Sequence, residues 1–247
     1  MATSGTTAFN MDFTEIAEEA WERAGREMRS GYDLRTARRS MNLLTIEWQN
    51  RGLNLWTIDS ATQAVTAGTA QYTLPADTID LLDQVIRTGD SGSGGQYGDG
   101  GSTQSDLTIS RIGVSTFATI PNKLIRGRPI QVWVERLRDA PRINLWPVPD
   151  KSYSFVYWRL RRMEDAGNGV ETADMNFRFL PCLVAGLAYN IAIKTPELSG
   201  RLQMLKADYD EQYNLAAGED REKVSERFVP RVGTVSYTHL TLPTKRI

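Results

Sequence analysis

Residues 179–194, FLPCLVAGLAYNIAIK, are apolar on every side of the helix they would form. A surface helix carries one apolar stripe, whereas a helix that is apolar all round has to be surrounded. The rest of the chain must therefore supply apolar faces to enclose it. Pro181 suits such a helix only in the first turn, where its missing N–H would have no partner anyway. The run falls short of a membrane span and contains Asn190, which predicts a buried core helix rather than a membrane helix.

Enclosing faces lie on both sides of it in the sequence. Phe13, Ile16, Ala17, Ala20, Trp21, Ala24 and Met28 recur at helical spacing behind a capping-box-like start at Asp12 and Glu15. Ser30-Gly31 breaks that pattern. A second helix is expected from Asp33, with Leu34, Ala37, Met41, Leu44 and Trp48 on one face and Gly52 as its stop. Arg35, Arg38 and Arg39 fall on its opposite side. After the core run, Thr195-Pro196 should end one helix and cap the next, in which Leu202, Leu205, Tyr209, Tyr213 and Ala216 repeat at helical spacing.

Between the two helical pairs the period changes to that of strands. TIDSATQAVTAGTAQYTLP predicts a hairpin turning at Ala67-Gly68-Thr69, and DLLDQVIRT a further strand. Residues 89–106 are rich in Gly and Ser and read as a loop. Three strands follow: PIQVWVER with Ile130, Val132 and Val134 on one face, RINLWPVPD with Ile143 and Leu145, and YSFVYWRLRR. In the last, Val156, Trp158 and Leu160 face one way and Tyr153, Phe155 and Tyr157 the other, so both faces should be covered. The expected fold is α+β: a four-helix bundle with an inserted, mainly antiparallel β domain. Residues 1–54 and 170–217 would form the two halves of the bundle, 55–169 the insert, and 218–234 a C-terminal docking segment.

Composition narrows the chemistry. With 29 basic and 30 acidic residues the net charge is −1, too little of either sign to require a nucleic-acid partner or to indicate a disordered tail. Apolar residues at 40%, with six Trp, can build one or two cores. Cys182 is the single cysteine, which excludes disulfide frameworks and multi-cysteine zinc sites. The opening MATSGTTAFNMDF has no basic or apolar region of a secretory signal. The Gly-rich loop has no Lys or Arg between Thr88 and Ser110, so it cannot cradle phosphate as a P-loop does, and its GGQYGDGG is a single copy of a calcium motif that works only in stacks. Cys182 lacks a base and has the apolar neighbours of an inert core thiol. The acidic pairs Glu164-Asp165 and Asp208/Asp210 have no metal-ligand spacing around them. No cofactor or metal site and no enzymatic activity are expected. DLRTARRS after a helical hairpin leaves a helix-turn-helix DNA reader as an alternative, which would bind duplex DNA with steep salt dependence.

The last thirteen residues, VSYTHLTLPTKRI, hold His239, the sole histidine. They join no periodic pattern, and their codons can be written so as to resemble a translated sequencing adapter. Residues 235–247 are therefore read as a non-native tail, outside the fold.

The segments GYDLRTARRSMNLLTIEWQNRGLNLW, QYTLP, IPNKLIRGRPIQVWVER, INLWPVPD, YWRLRRMEDAG and RFLPCLVAGLAYNIA resemble, in this order, the head-to-tail adaptors of short-tailed bacteriophages. These are also called tail tubular protein A or neck proteins. The resemblance spans residues 9–234 and implies a virion structural protein, assembled in the host bacterial cytoplasm. Such adaptors form a ring, typically a dodecamer, between the capsid portal protein and the tail nozzle protein. DNA passes through the ring without sequence-specific binding, and no membrane is involved. Another phage tail or adhesin component is a further alternative. A ring needs a heterologous interface, for which Arg35, Arg38 and Arg39 against acidic side chains such as Asp208 or Glu211 of a neighbour are expected. Trp146 and the group Arg159, Arg161 and Arg162 are expected as anchors or rims, and Phe228 as the anchor of the segment that meets the portal.

Overall fold

In the computed structural model the described residues are 5, 9–53, 55–88, 104–168 and 170–220. The docking segment beyond residue 220, Phe228 with it, the tail at 235–247 and most of the Gly-rich loop lie outside them. In chain order the elements are α1 (Phe13–Ala24), α2 (Gly31–Arg51), β1 (Ile58–Val65), β2 (Gln71–Thr73), β3 (Thr78–Thr88), β4 (Ser105–Thr108), β5 (Ser110–Ile112), α3 (Val114–Thr119), β6 (Arg126–Gly127), β7 (Gln131–Glu135), β8 (Arg142–Trp146), β9 (Val148–Pro149), β10 (Tyr153–Arg161), α4 (Leu180–Lys194) and α5 (Leu202–Glu219). The class is α+β, with five α-helices among the described residues. The fifth is the six-residue α3, which buries nothing and therefore carries no apolar period to read.

α4 is the enclosed helix. Cys182 through Ala188 are all buried, and α1, α2 and α5 pack around it. Pro181 does sit in its first turn. Together with the turn before it, Phe177–Lys194 reaches 18 residues of mean hydropathy 1.3, so the run is longer than its apolar core suggests; other helices cover it instead. A Cβ added at Gly186 would lie 2.8 Å from both Leu44 Cδ2 and Tyr209 Cε2, so the missing side chain lets α2 and α5 close onto α4. Trp48 Nε1 donates to the Tyr209 hydroxyl at 3.0 Å within this core, and burial pushes the Tyr209 phenol up to about 12.

The helix ends follow local chemistry. Asp12 and Glu15 form the capping box. α1 stops at Gly25, in the left-handed region at φ 103°, and so before Ser30; Met28 lies beyond it. Ser30 instead caps α2, which starts at Gly31, two residues earlier than Asp33. Thr195 does not cap α5: its hydroxyl bonds back to Ile191 O, and the turn Pro196–Arg201 intervenes.

The strands form two four-stranded sheets, β1-β10-β3-β4 and β2-β8-β7-β5, mostly antiparallel, with a small parallel β6-β9 pair. Their facing sides enclose a second core containing Phe155, Tyr157, Ile86, Val132, Ile143 and Leu145. Ala67-Gly68-Thr69 is a turn, with Gly68 at φ 82°, but it closes no hairpin. β1 pairs with β10 and β2 with β8, so the turn carries the chain from one sheet to the other. Ile130 precedes β7 and is 45% exposed, while Val132 and Val134 are buried as expected. β10 is central in its sheet: Tyr153, Phe155 and Tyr157 enter the second core, and Val156 on the other side is also buried.

Candidate interaction surfaces

The basic face of α2 is built by the helix that buries Ala37, Met41, Leu44 and Trp48 on its other side. Its first turn is held by Ser30 and by Asp33, which is buried and accepts from Ser30 Oγ at 3.0 Å and Arg29 N at 3.2 Å. Arg35 and Arg39 are exposed, Arg38 is half-buried, and the three line one shallow concavity with Tyr32 and Asn42. Among the described residues none of these guanidinium groups meets a carboxylate. Lys194, at the end of α4, donates to Ser40 Oγ at 2.7 Å. Burial, and then the nearby Arg39, push the Lys194 ammonium below its ordinary range. Tyr32 and Leu43, 64% and 63% exposed, extend this face with apolar surface.

The second arginine group is taken apart by the structure. Arg159 is 8% exposed and donates to Asp77 at 2.6 Å, Thr78 at 2.9 Å and Asp59 at 3.2 Å. Burial opposes its charge, but the hydrogen bonds to Asp77 and Asp59 outweigh burial and raise its pKa. Arg161 grips Asp174 with both terminal nitrogens, at 2.6 and 2.9 Å, which holds that carboxyl below its ordinary range despite burial. Neither is a rim. Both are internal ties, and of the three only Arg162 is exposed without a carboxylate partner among the described residues. The spacing of Arg159, Arg161 and Arg162 in the sequence could not reveal this, because Asp59, Asp77 and Asp174 are supplied by distant segments.

Trp146 is half-buried. Its indole donates to Asn122 O at 3.1 Å, and its peptide bond to Pro147 is cis. Asp208 lies 3.6 Å from Arg23 of its own chain. Cys182 is buried in α4, and that burial pushes its thiol up to about 12, as an inert core thiol requires. Among the described residues no His, Cys, Asp and Glu come together as a metal-ligand group.

One surface escaped the sequence reading. Glu15, Glu18, Glu19 and Glu22 form an acidic row on the exposed side of α1, beside Phe9 and Met11. Its signal was present, since the row has the complementary phase of the apolar positions Phe13, Ile16, Ala17 and Ala20, but an acidic helix face is the commonest kind of solvated surface.

The model of the family described as SU10 adaptor protein matches residues 11–233. No curated protein matches the chain.

Proposed function

Because this chain belongs to the SU10 adaptor protein family, we propose that it is the head-to-tail adaptor of a short-tailed phage. It is a structural virion component that works by contact with other head and tail proteins, not by catalysis. In this reading it corresponds to a neck or tail tubular protein A. Copies form a ring, twelve in number, seated between the portal and the nozzle, and DNA leaves the capsid through its channel. The bundle of α1, α2, α4 and α5, carrying the β part as an insert, is the body of each copy. Arg35, Arg38 and Arg39 lie at the contact between copies, and 218–234 docks on the portal through Phe228. Assembly takes place in the host cytoplasm before incorporation into the virion.

The family match across 11–233 carries this reading. The cationic face of α2 supports the subunit contact, because among the described residues it meets no carboxylate and so is available to another chain. Electron microscopy of the protein mixed with the portal of its phage tests it. Rings seated on portals are expected, and bare portals beside free monomers refute it. Tight duplex binding that weakens steeply with salt would instead favour the helix-turn-helix reading.

A further inference from the structure

The basic row of α2 has a counterpart of the same pitch on α1. Glu15, Glu18, Glu19 and Glu22 are spaced as are Arg35, Arg38, Arg39 and Asn42, a spacing that places each set on one helix face. Phe9, 76% exposed, lies beside the acidic row, and Tyr32 beside the basic one. The two concavities share no residue, and among the described residues no ion pair joins the rows. Glu19 pairs with Arg23, but Glu18 and Glu22 meet no cation there. One surface thus presents unpaired anions around an exposed ring, and a separate surface presents unpaired cations around another.

We propose that these faces bind each other between copies, the α2 row of one chain seating on the α1 row of the next. The proposal rests on the ring reading and supplies its contact. Carboxylates match the forked guanidinium geometry, and Phe9 and Tyr32 add the aromatic anchors on which protein contacts depend. DNA could satisfy the arginines alone, but a chain whose net charge is −1 has no general attraction for a polyanion. A second copy satisfies both rows. Because the two faces differ, each added copy leaves one of each open, so association continues until the ring closes.

Two charge-reversed variants test this. One carries Arg35→Glu, Arg38→Glu and Arg39→Glu; the other carries Glu18→Arg and Glu22→Arg. Each alone should associate at least about tenfold more weakly than the native chain at low salt, because like charges then face each other. Mixed in equal amounts they should assemble again, since each supplies the face that the other's reversed row now needs. Sedimentation reads the assembly, and unchanged melting temperatures establish that both variants fold. Disulfide trapping gives an independent reading: Arg35→Cys mixed with Glu22→Cys should cross-link, while neither should do so alone. Cys182, buried with its thiol pushed up to about 12, adds no background. Native-strength assembly by either reversed variant alone, or no recovery on mixing, overturns this contact while leaving the ring intact. Failure of the native chain to form rings, alone or on portals, overturns both.

Discussion

Four arginines of the β part and the three on the outer face of α2 sit in opposite circumstances. Arg87, Arg111, Arg142 and Arg159 of the β part each meet a carboxylate from another strand or turn of their own chain. Asp80 is shared, held by Arg111 at 2.7 Å and by Arg136. Arg87 is 5% exposed and makes two bonds to Asp106, at 2.7 and 2.8 Å, that draw that carboxyl below its ordinary range. Among the described residues Arg35, Arg38 and Arg39 on α2 have no such partner. The helical part is closed instead by apolar packing around α4. Elsewhere in the helical part arginines do find carboxylates, Arg23 in Asp208, Arg51 in Glu47 and Arg178 in Glu219, so the basic face of α2 is set apart from its own surroundings as well as from the β part. An arginine's availability to a partner depends on whether its own chain brings a carboxylate within reach.

The largest effect should come from the helical core. Leu187, fully buried in α4, is expected to cost about 2–5 kcal/mol as Leu187→Ala, by lost transfer energy and an unfilled cavity. Denaturant titration checks it, and a cost below about 1 kcal/mol would mean that packing does not dominate this part.

Arg159→Leu should follow at about 1.5–3 kcal/mol, since it removes charge-assisted bonds to two carboxylates and Thr78. A neutral result would erase the contrast between the two arginine groups.

Acid should act through Asp174. Hydrogen bonding from Arg161 holds its folded-state pKa below the unfolded value of about 3.9, so its stabilisation is present above that pH and is lost as pH falls through the folded value. The native chain should therefore lose melting temperature below about pH 4, and Asp174→Asn, less stable at neutral pH, should lose less over that interval. Parallel pH profiles for both proteins would contradict the assignment.

The smallest effect on folding is expected at Arg38→Leu, within about 0.5 kcal/mol of the native stability. Its influence should appear in assembly alone. A loss of stability comparable to that of Arg159→Leu would show that α2 holds its arginines internally after all.

The helical elements were legible in the sequence because the 3.6-residue period is local. The burial of Phe13, Ile16, Leu44, Leu187 and Leu205 follows directly from it. The strands were legible individually, but their partners were not. β1 pairs with β10 across some hundred residues, as in Ile58 with Leu160, and nothing in Ala67-Gly68-Thr69 says that the turn joins two sheets rather than one hairpin. The same blindness governs the surface. Arg35, Arg38 and Arg39 were placed on the outer face by helical phase alone, whereas the pairing of Arg159 and Arg161 was not legible because their carboxylates come from distant segments.

The hydrogen bond from Trp48 to Tyr209 joins residues 161 positions apart. On the ribosome, at about 5–20 residues per second, roughly 8–30 s separates the making of one partner from the making of the other. Every strand of the β part is synthesised within that interval. The apolar faces of α1 and α2 thus emerge before the whole β part and before α4 and α5, the helices that enclose them. A stall in translation after β10 would leave those faces without the helices that cover them.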